Sequence, residues 1–284
     1  MEQADHLHRL YKVRTSISNN REAWEYFNDF LRRKIDEGIL IPLANNQYDA
    51  DYAEYFTQRS WKVISSICAY TDAPYTGIKS ESLYYSKYRP MPPIEGLLDK
   101  ELLFKESISS KVLRKMGLQL ASRGYSWQDL STFKSVVYIP YNASIMSIFE
   151  MYTAGTPMFF PSLHFAMELY LTNKLQGIFS ELSYNQVRGL PSRSILPCDG
   201  FDPNNYNDAE VMAHWIAKSD FYNSDNMDGL IYFESFEELA EMLPKVDVGA
   251  VHRRMMNHNK VRQGKIYDAW KQVLSHLAER RTAV

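Results

Sequence analysis

The sequence predicts an α/β protein, and three observations carry that expectation. Val136, Val137 and Ile139 form a short, β-rich apolar run, followed by a loop, a helix-period segment and a second apolar run at Met158–Phe160. Strand, loop, helix, Gly-Thr-Pro, strand is a βαβ unit. Apolar residues make up 45% of the chain and aromatics 14%, enough to fill a core. At 284 residues the chain holds one large domain or two small ones.

Each part of the βαβ unit has a local cause. A short, β-rich apolar run of this kind suits a buried parallel strand. Pro140 ends it, because proline cannot donate to a sheet ladder. Tyr141, Asn142 and Ala143 make the loop, and Ser144 is expected to cap the helix through its hydroxyl oxygen. Ile145, Ile148, Phe149 and Tyr152 recur at helical spacing, Gly155 stops the helix, and Pro161 closes the second strand. The helix N-terminus then sits at the carboxyl end of a parallel strand, where open α/β sheets bind ligands. Free N–H groups there favour an anion, phosphate above all. Glu150 falls on the second turn. A carboxylate there can accept hydrogen bonds from the sugar hydroxyls of a nucleotide whose phosphates rest on the helix end. The plainer alternative is an ordinary core unit with a satisfied surface glutamate.

The other elements follow in order. Residues 1–20 are polar and read as a helix or a frayed arm. Arg21–Gly38 is a helix with Trp24, Phe27, Phe30, Leu31 and Ile35 as its stripe. Ile39–Ala44 is a short strand that delivers a turn-rich loop, Asn45-Asn46-Gln47-Tyr48-Asp49. A helix over 49–57 and a strand over 61–67 come next. For Asp49, a helix cap competes with a chemical role. Leu83–Ser86 is a strand opening a second lobe, with the boundary between Thr71 and Ser82. Residues 99–115 read as a helix. After Ser162, residues 165–175 are helical, and His164 reads as a helix-capping residue rather than a ligand or base. Residues 184–207 form a long loop. A helix over 211–219, a strand over 230–233, a helix capped by Ser235 with Glu238 in the capping-box position, and two helices over 247–259 and 260–277 complete the chain.

Composition removes several function classes. A net charge of −2 provides no field for general nucleic-acid binding. Cys68 and Cys198 stand far apart and have no metal-ligand spacing. The opening residues carry charge where a signal peptide needs an apolar run, and no stretch reaches the roughly 18 apolar residues of a membrane span. The chain therefore reads as cytoplasmic, with the Asn142-Ala143-Ser144 sequon idle. No Walker loop, GxGxxG, GxSxG or HExxH occurs, and nothing local groups Ser, His and Asp as a triad.

Glu150-Met-Tyr-Thr-Ala-Gly-Thr-Pro157 resembles the Glu-x4-Gly-Thr-Pro segment of GT-B glycosyltransferases. The fuller pattern, Pro140, Tyr141, Ser144, Met146, Ser147, Phe149 and Glu150, resembles a narrower group that includes enzymes of large algal viruses and microalgae. Asn45-Asn46-x-Tyr48-Asp49, Tyr52, Tyr55-Phe56 and Cys68-x-Tyr70-Thr71 resemble the same group. So do Asp202-Pro-Asn-Asn205, Trp215, Asp220-Phe-Tyr222, Tyr232-Phe-x-Ser235, and Met256-x-x-Asn259 with Trp270. The likeness spans about Ile41 to Leu274, and the shared order carries its weight.

The resemblance implies two Rossmann-like lobes with an abbreviated amino-terminal one. Residues 1–78 would form the acceptor side, 79–262 the nucleotide-sugar donor lobe, and 263–284 a C-terminal helix. It implies a metal-independent, inverting transfer of a sugar from a nucleotide-sugar to a glycan hydroxyl. The donor is expected to be UDP-linked, with UDP-xylose as the leading guess, and the acceptor a glycan or glycoprotein. No cofactor, metal or nucleic acid enters. Ser144, Ile145, Met146 and Ser147 would hold the diphosphate, with Tyr141 beside them and Arg89 or Lys87 as the cation. Glu150 would hold the ribose. Asp49 is the expected base, with Asp51 as fallback, and Asn45, Asn46 and Tyr48 line the acceptor side. The competing expectation is a non-catalytic Rossmann-like module that binds a nucleotide or glycan.

Overall fold

The computed structural model describes residues 21–86, 118–120, 126–140, 142–171 and 208–282. In chain order the first elements are α1 (Arg21–Asp36), β1 (Leu43–Ala44), α2 (Gln47–Thr57), β2 (Lys62–Val63), β3 (Ser82–Ser86), β4 (Leu118–Leu120), α3 (Trp127–Ser131) and β5 (Val136–Ile139). Then come α4 (Met146–Ala154), β6 (Met158–Pro161), α5 (Leu163–Leu171), α6 (Ala209–Ile216), β7 (Ile231–Phe233), α7 (Phe236–Lys245) and α8 (Val248–Thr282). Two short 3-10 turns, Ala69–Thr71 and Asp220–Tyr222, join them. The described residues form two compact units. One runs to Val63 and includes those up to Lys218 from Asp208; the other takes those from Ile64 to Leu171 and from Ser219 onward. The cut at Val63 lies ahead of the boundary expected after residue 78.

In the first unit, the apolar stripe of α1 meets α2. Trp24 sets its ring edge-on to Phe56 at 4.9 Å. Arg59 forks onto Asp36 at 2.5 and 2.7 Å, tying the end of α1 to the chain after α2. β1 and β2 pair in parallel, Leu43 opposite Lys62 and Ala44 opposite Val63. The strands expected over 39–44 and 61–67 shrink to two residues each. Ile39 is largely exposed, and a two-stranded pair with no third strand among the described residues gains little from a longer ladder. On α6, Trp215 is fully buried and meets the edges of Tyr48 and Tyr52 at 5.6 and 5.4 Å.

The second unit is a five-stranded parallel sheet in the order β4-β3-β5-β6-β7. All four residues of β5 are buried, as a strand covered on both faces requires. On one face Val136, Tyr138, Met158 and Phe160 pack with Ile148, Phe149 and Tyr152 of α4, and with Phe221, Met227 and Met255. Gly155 ends α4 with φ 77°, and its N–H returns to Met151 and Tyr152. A side chain at Gly155 would meet Met256 Sδ at 2.6 Å and the His252 ring at 2.8 Å. The glycine is therefore required by backbone shape and by the close approach of α8.

Local expectations differ from the structure in four places. Ser144 does not cap α4; Ile145 holds the cap position and makes no side-chain cap hydrogen bond. Pro161 is the last residue of β6, opposite Phe233, rather than a residue beyond it. His164 does not cap α5: the Ser162 hydroxyl accepts the Phe165 N–H at 3.1 Å, and the His164 side chain is exposed. The two helices expected over 247–277 are one helix, α8, of 35 residues. Gly264 has open space around it, and a lone interior glycine costs only about 1 kcal/mol, too little to break a helix. The helix expected over 99–115 and the loop over 184–207 lie outside the described residues.

Candidate functional site

The strand order places the site. From β3 the chain moves outward to β4, and from β5 it moves the other way, to β6 and β7. β3 and β5 are therefore the two strands that flank the topological switch point, outside whose carboxyl ends open α/β sheets bind ligands. Those ends are Ser86 and Ile139, side by side in register. α4 begins at Met146, seven residues after Ile139 ends β5.

The first turn of α4 receives no side-chain cap. Asn142 lies just before it and is buried. Its Oδ1 accepts the Ser144 N–H at 3.4 Å, while its Nδ2 is a buried donor without a hydrogen-bond partner among the described residues. Ser144 is half-buried, Ile145 is buried and Met146 is exposed. The Ser147 hydroxyl bonds the Tyr138 hydroxyl at 2.9 Å, so its first commitment is to β5. Backbone N–H groups and the helix dipole are the features of this end that would favour an anion.

Glu150 sits one turn further on, about 6 Å along the axis. It is only 8% exposed. Burial raises its carboxyl above the ordinary carboxylate value. The Tyr70 hydroxyl donates to Oε1 of Glu150, and no other hydrogen bond reaches this carboxyl among the described residues. A buried carboxylate served, among the described residues, by a hydroxyl and by no cation is chemically suited to neutral O–H donors.

Beneath Glu150 lies a polar seam. Cys68 is buried, and burial first, then the Glu150 charge, push its thiol up to about 11, with Arg262 acting the other way. Arg262 of α8 is buried; its Nη2 donates to the Ser66 carbonyl at 2.6 Å and its Nε to Asn226 Oδ1 at 2.9 Å. Its guanidinium lies over the Phe149 ring at 5.3 Å. Asn226 in turn donates to Asp220. Burial lowers Arg262 from its ordinary value, and the Asp220 charge opposes that fall. The seam fixes the chain at Ser66, four residues before Tyr70.

The other candidate residues divide between the units. Asn46 caps α2, its Oδ1 accepting the Asp49 N–H at 2.7 Å. The helix cap that competed with chemistry at Asp49 therefore belongs to Asn46. Asp49 is half-buried in the first turn. Asp51 pairs with Lys218 and accepts from Gln47 at 2.5 Å. Tyr48 is buried against Trp215, and Asn45 is half-buried. Lys87, Arg89 and Tyr141 lie outside the described residues. The structure adds Tyr70, Asn142 and Arg262, none of which sequence reasoning placed in the site. Tyr70 lay within a matched motif without a role, and Asn142 read only as an idle sequon. Comparison with protein-family models, with curated proteins and with solved structures found no match to this chain.

Proposed function

We propose that the chain is a nucleotide-sugar-dependent glycosyltransferase of reduced GT-B type, with its donor site at the switch point of the five-stranded sheet. The observation that carries this reading is Glu150: a buried carboxylate, one turn from an uncapped helix N-terminus, with a hydroxyl as its hydrogen-bond partner. That spacing suits a nucleotide with its diphosphate on the helix end and its ribose on Glu150. Backbone N–H groups at residues 144–147 stabilise charge as the sugar–phosphate bond breaks. Lys87 or Arg89 adds a cation, and Tyr141 flanks the site. In the transfer step the acceptor oxygen attacks the anomeric carbon, the anomeric C–O bond breaks with its electron pair going to the diphosphate, and Asp49 takes the hydroxyl proton. This is single displacement with inversion. A UDP-sugar, UDP-xylose first, is the proposed donor, and a glycan or glycoprotein hydroxyl the acceptor.

A thermal-shift panel of nucleotide-sugars, followed by donor hydrolysis assays, tests the reading. A donor at roughly 100 times its Kd stabilises by about 2.7 kcal/mol, and slow release of free sugar shows turnover. No stabilisation by any nucleotide-sugar overturns it. The two-residue strands of the first unit favour a second reading, a nucleotide-binding module without chemistry. That reading expects stabilisation without hydrolysis or transfer.

A further inference from the structure

We infer that Tyr70 is a displaceable occupant of the Glu150 site, and that a ligand must bring a pair of neighbouring hydroxyls to take its place. The inference rests on the nucleotide reading of Glu150 and adds what occupies its carboxylate before a ligand arrives. The two partners differ sharply in their surroundings: Glu150 is 8% exposed and Tyr70 is 70% exposed. Tyr70 makes no ring contact and no second hydrogen bond among the described residues. Its bond to Glu150 is thus the contact that holds the phenol in place. The backbone beneath it is anchored separately. Arg262 grips the Ser66 carbonyl, and Gln128 Nε2 donates to the Thr71 carbonyl at 3.4 Å. A χ1 rotation therefore carries the largely exposed phenol into solvent while the turn keeps its own anchors.

The exchange has a simple balance. A ligand with one hydroxyl replaces one O–H donor by another and gains nothing. A cis-diol, such as the ribose of a nucleotide, donates to both carboxylate oxygens and ends one hydrogen bond ahead. The phenol thus makes Glu150 a diol receptor rather than a general hydroxyl receptor. It also spares the buried carboxylate an unpartnered state while the site waits.

The test is Tyr70→Phe, which keeps the ring at an exposed position and removes only the hydroxyl. Calorimetry compares wild type and variant with UDP, GDP, ADP and CDP, and with the 2′,3′-dideoxy form of the tightest binder. Melting temperatures confirm that both proteins fold. The expected result is about three- to tenfold tighter binding of the ribonucleotide by the variant, the size of one hydrogen bond, and unchanged binding of the dideoxy form. The gain should vanish when Glu150→Ala is also present. Ribonucleotide binding that is equal or weaker in Tyr70→Phe overturns the inference and leaves the nucleotide reading standing. A gain shared by the dideoxy form also overturns it, making Tyr70 a steric screen. Failure of all four nucleotides to bind either protein at millimolar concentration overturns both.

Discussion

At the residue scale, Glu150 and Asp49 are set by their surroundings to behave differently. Glu150 is buried beside a thiol that burial holds protonated. Its carboxyl titrates above the ordinary range in the folded protein. The folded state therefore binds this proton more tightly than the unfolded chain does, and this group's contribution to stability falls as pH rises from the ordinary carboxylate value through the raised one. Glu150→Gln should flatten that part of the stability–pH curve, measured by urea unfolding at stepped pH; an unchanged slope would show that another group causes it. Glu150→Ala should weaken nucleoside diphosphate binding through charge-assisted hydrogen bonds worth roughly 1.5 to 3 kcal/mol each. Unchanged affinity would remove Glu150 from the site. Asp49 stands in the first turn of α2 with Asn46 as the cap, so Asp49→Asn should lose no cap. It should lose a first-turn charge, worth roughly 0.3 to 1 kcal/mol. If Asp49 is the base, kcat falls by roughly 10² to 10⁴ with little change in melting. A kcat within a few-fold of wild type moves the search to Asp51, whose carboxylate is already paired with Lys218.

At the scale of elements, α4 is the piece on which the site depends. Its start is open and its end is closed by Gly155, whose carbonyl accepts from His252 Nδ1 at 2.7 Å. The end without a side-chain cap from Ile145 lies opposite the end that is held against α8. Gly155→Ala should test the lock. It forces a side chain into the left-handed region and against His252 and Met256. The expected cost is roughly 1 to 3 kcal/mol, read as a lower urea midpoint with unchanged m-value. A neutral result would mean that α8 can retreat from α4 without penalty. Tyr152 shows how closely the two helices are joined: its hydroxyl donates to the Asp228 carbonyl at 2.9 Å and also bonds His258 of α8 at 2.8 Å.

At the scale of the whole molecule, the described strands are divided unevenly, five in one parallel sheet and two in the other. The larger unit has the depth to bury a carboxylate and a guanidinium together; the smaller one is built mainly of helices around Trp24, Tyr52 and Trp215. The chemistry proposed for the larger unit draws its positive charge from a helix end and from Lys87 or Arg89. Transfer should therefore persist in EDTA. Complete loss of activity in EDTA, restored by Mn²⁺, would sink the proposed donor site and call for a metal-held diphosphate.

What the sequence determined by itself was local. The β5-loop-α4-β6 unit, the stop at Gly155 and the Ser235 cap could be read because a continuous apolar run, a 3.6-residue period and a left-handed glycine act within a few residues of one another. The same range explains the errors. Asn46 and Asp49 are both sound capping residues three positions apart, and only the folded backbone assigns the cap to Asn46. Strand order was decided by tertiary structure, since every strand of the larger sheet is apolar enough to lie beside any other. The two contacts that shape the candidate site are equally non-local. Tyr70 meets Glu150 across 80 residues, and Arg262 meets Ser66 across 196. No periodicity or spacing encodes such pairs. They form because α8 and the Ala69–Thr71 turn pack on either side of α4, and that packing follows from burial summed over the whole unit.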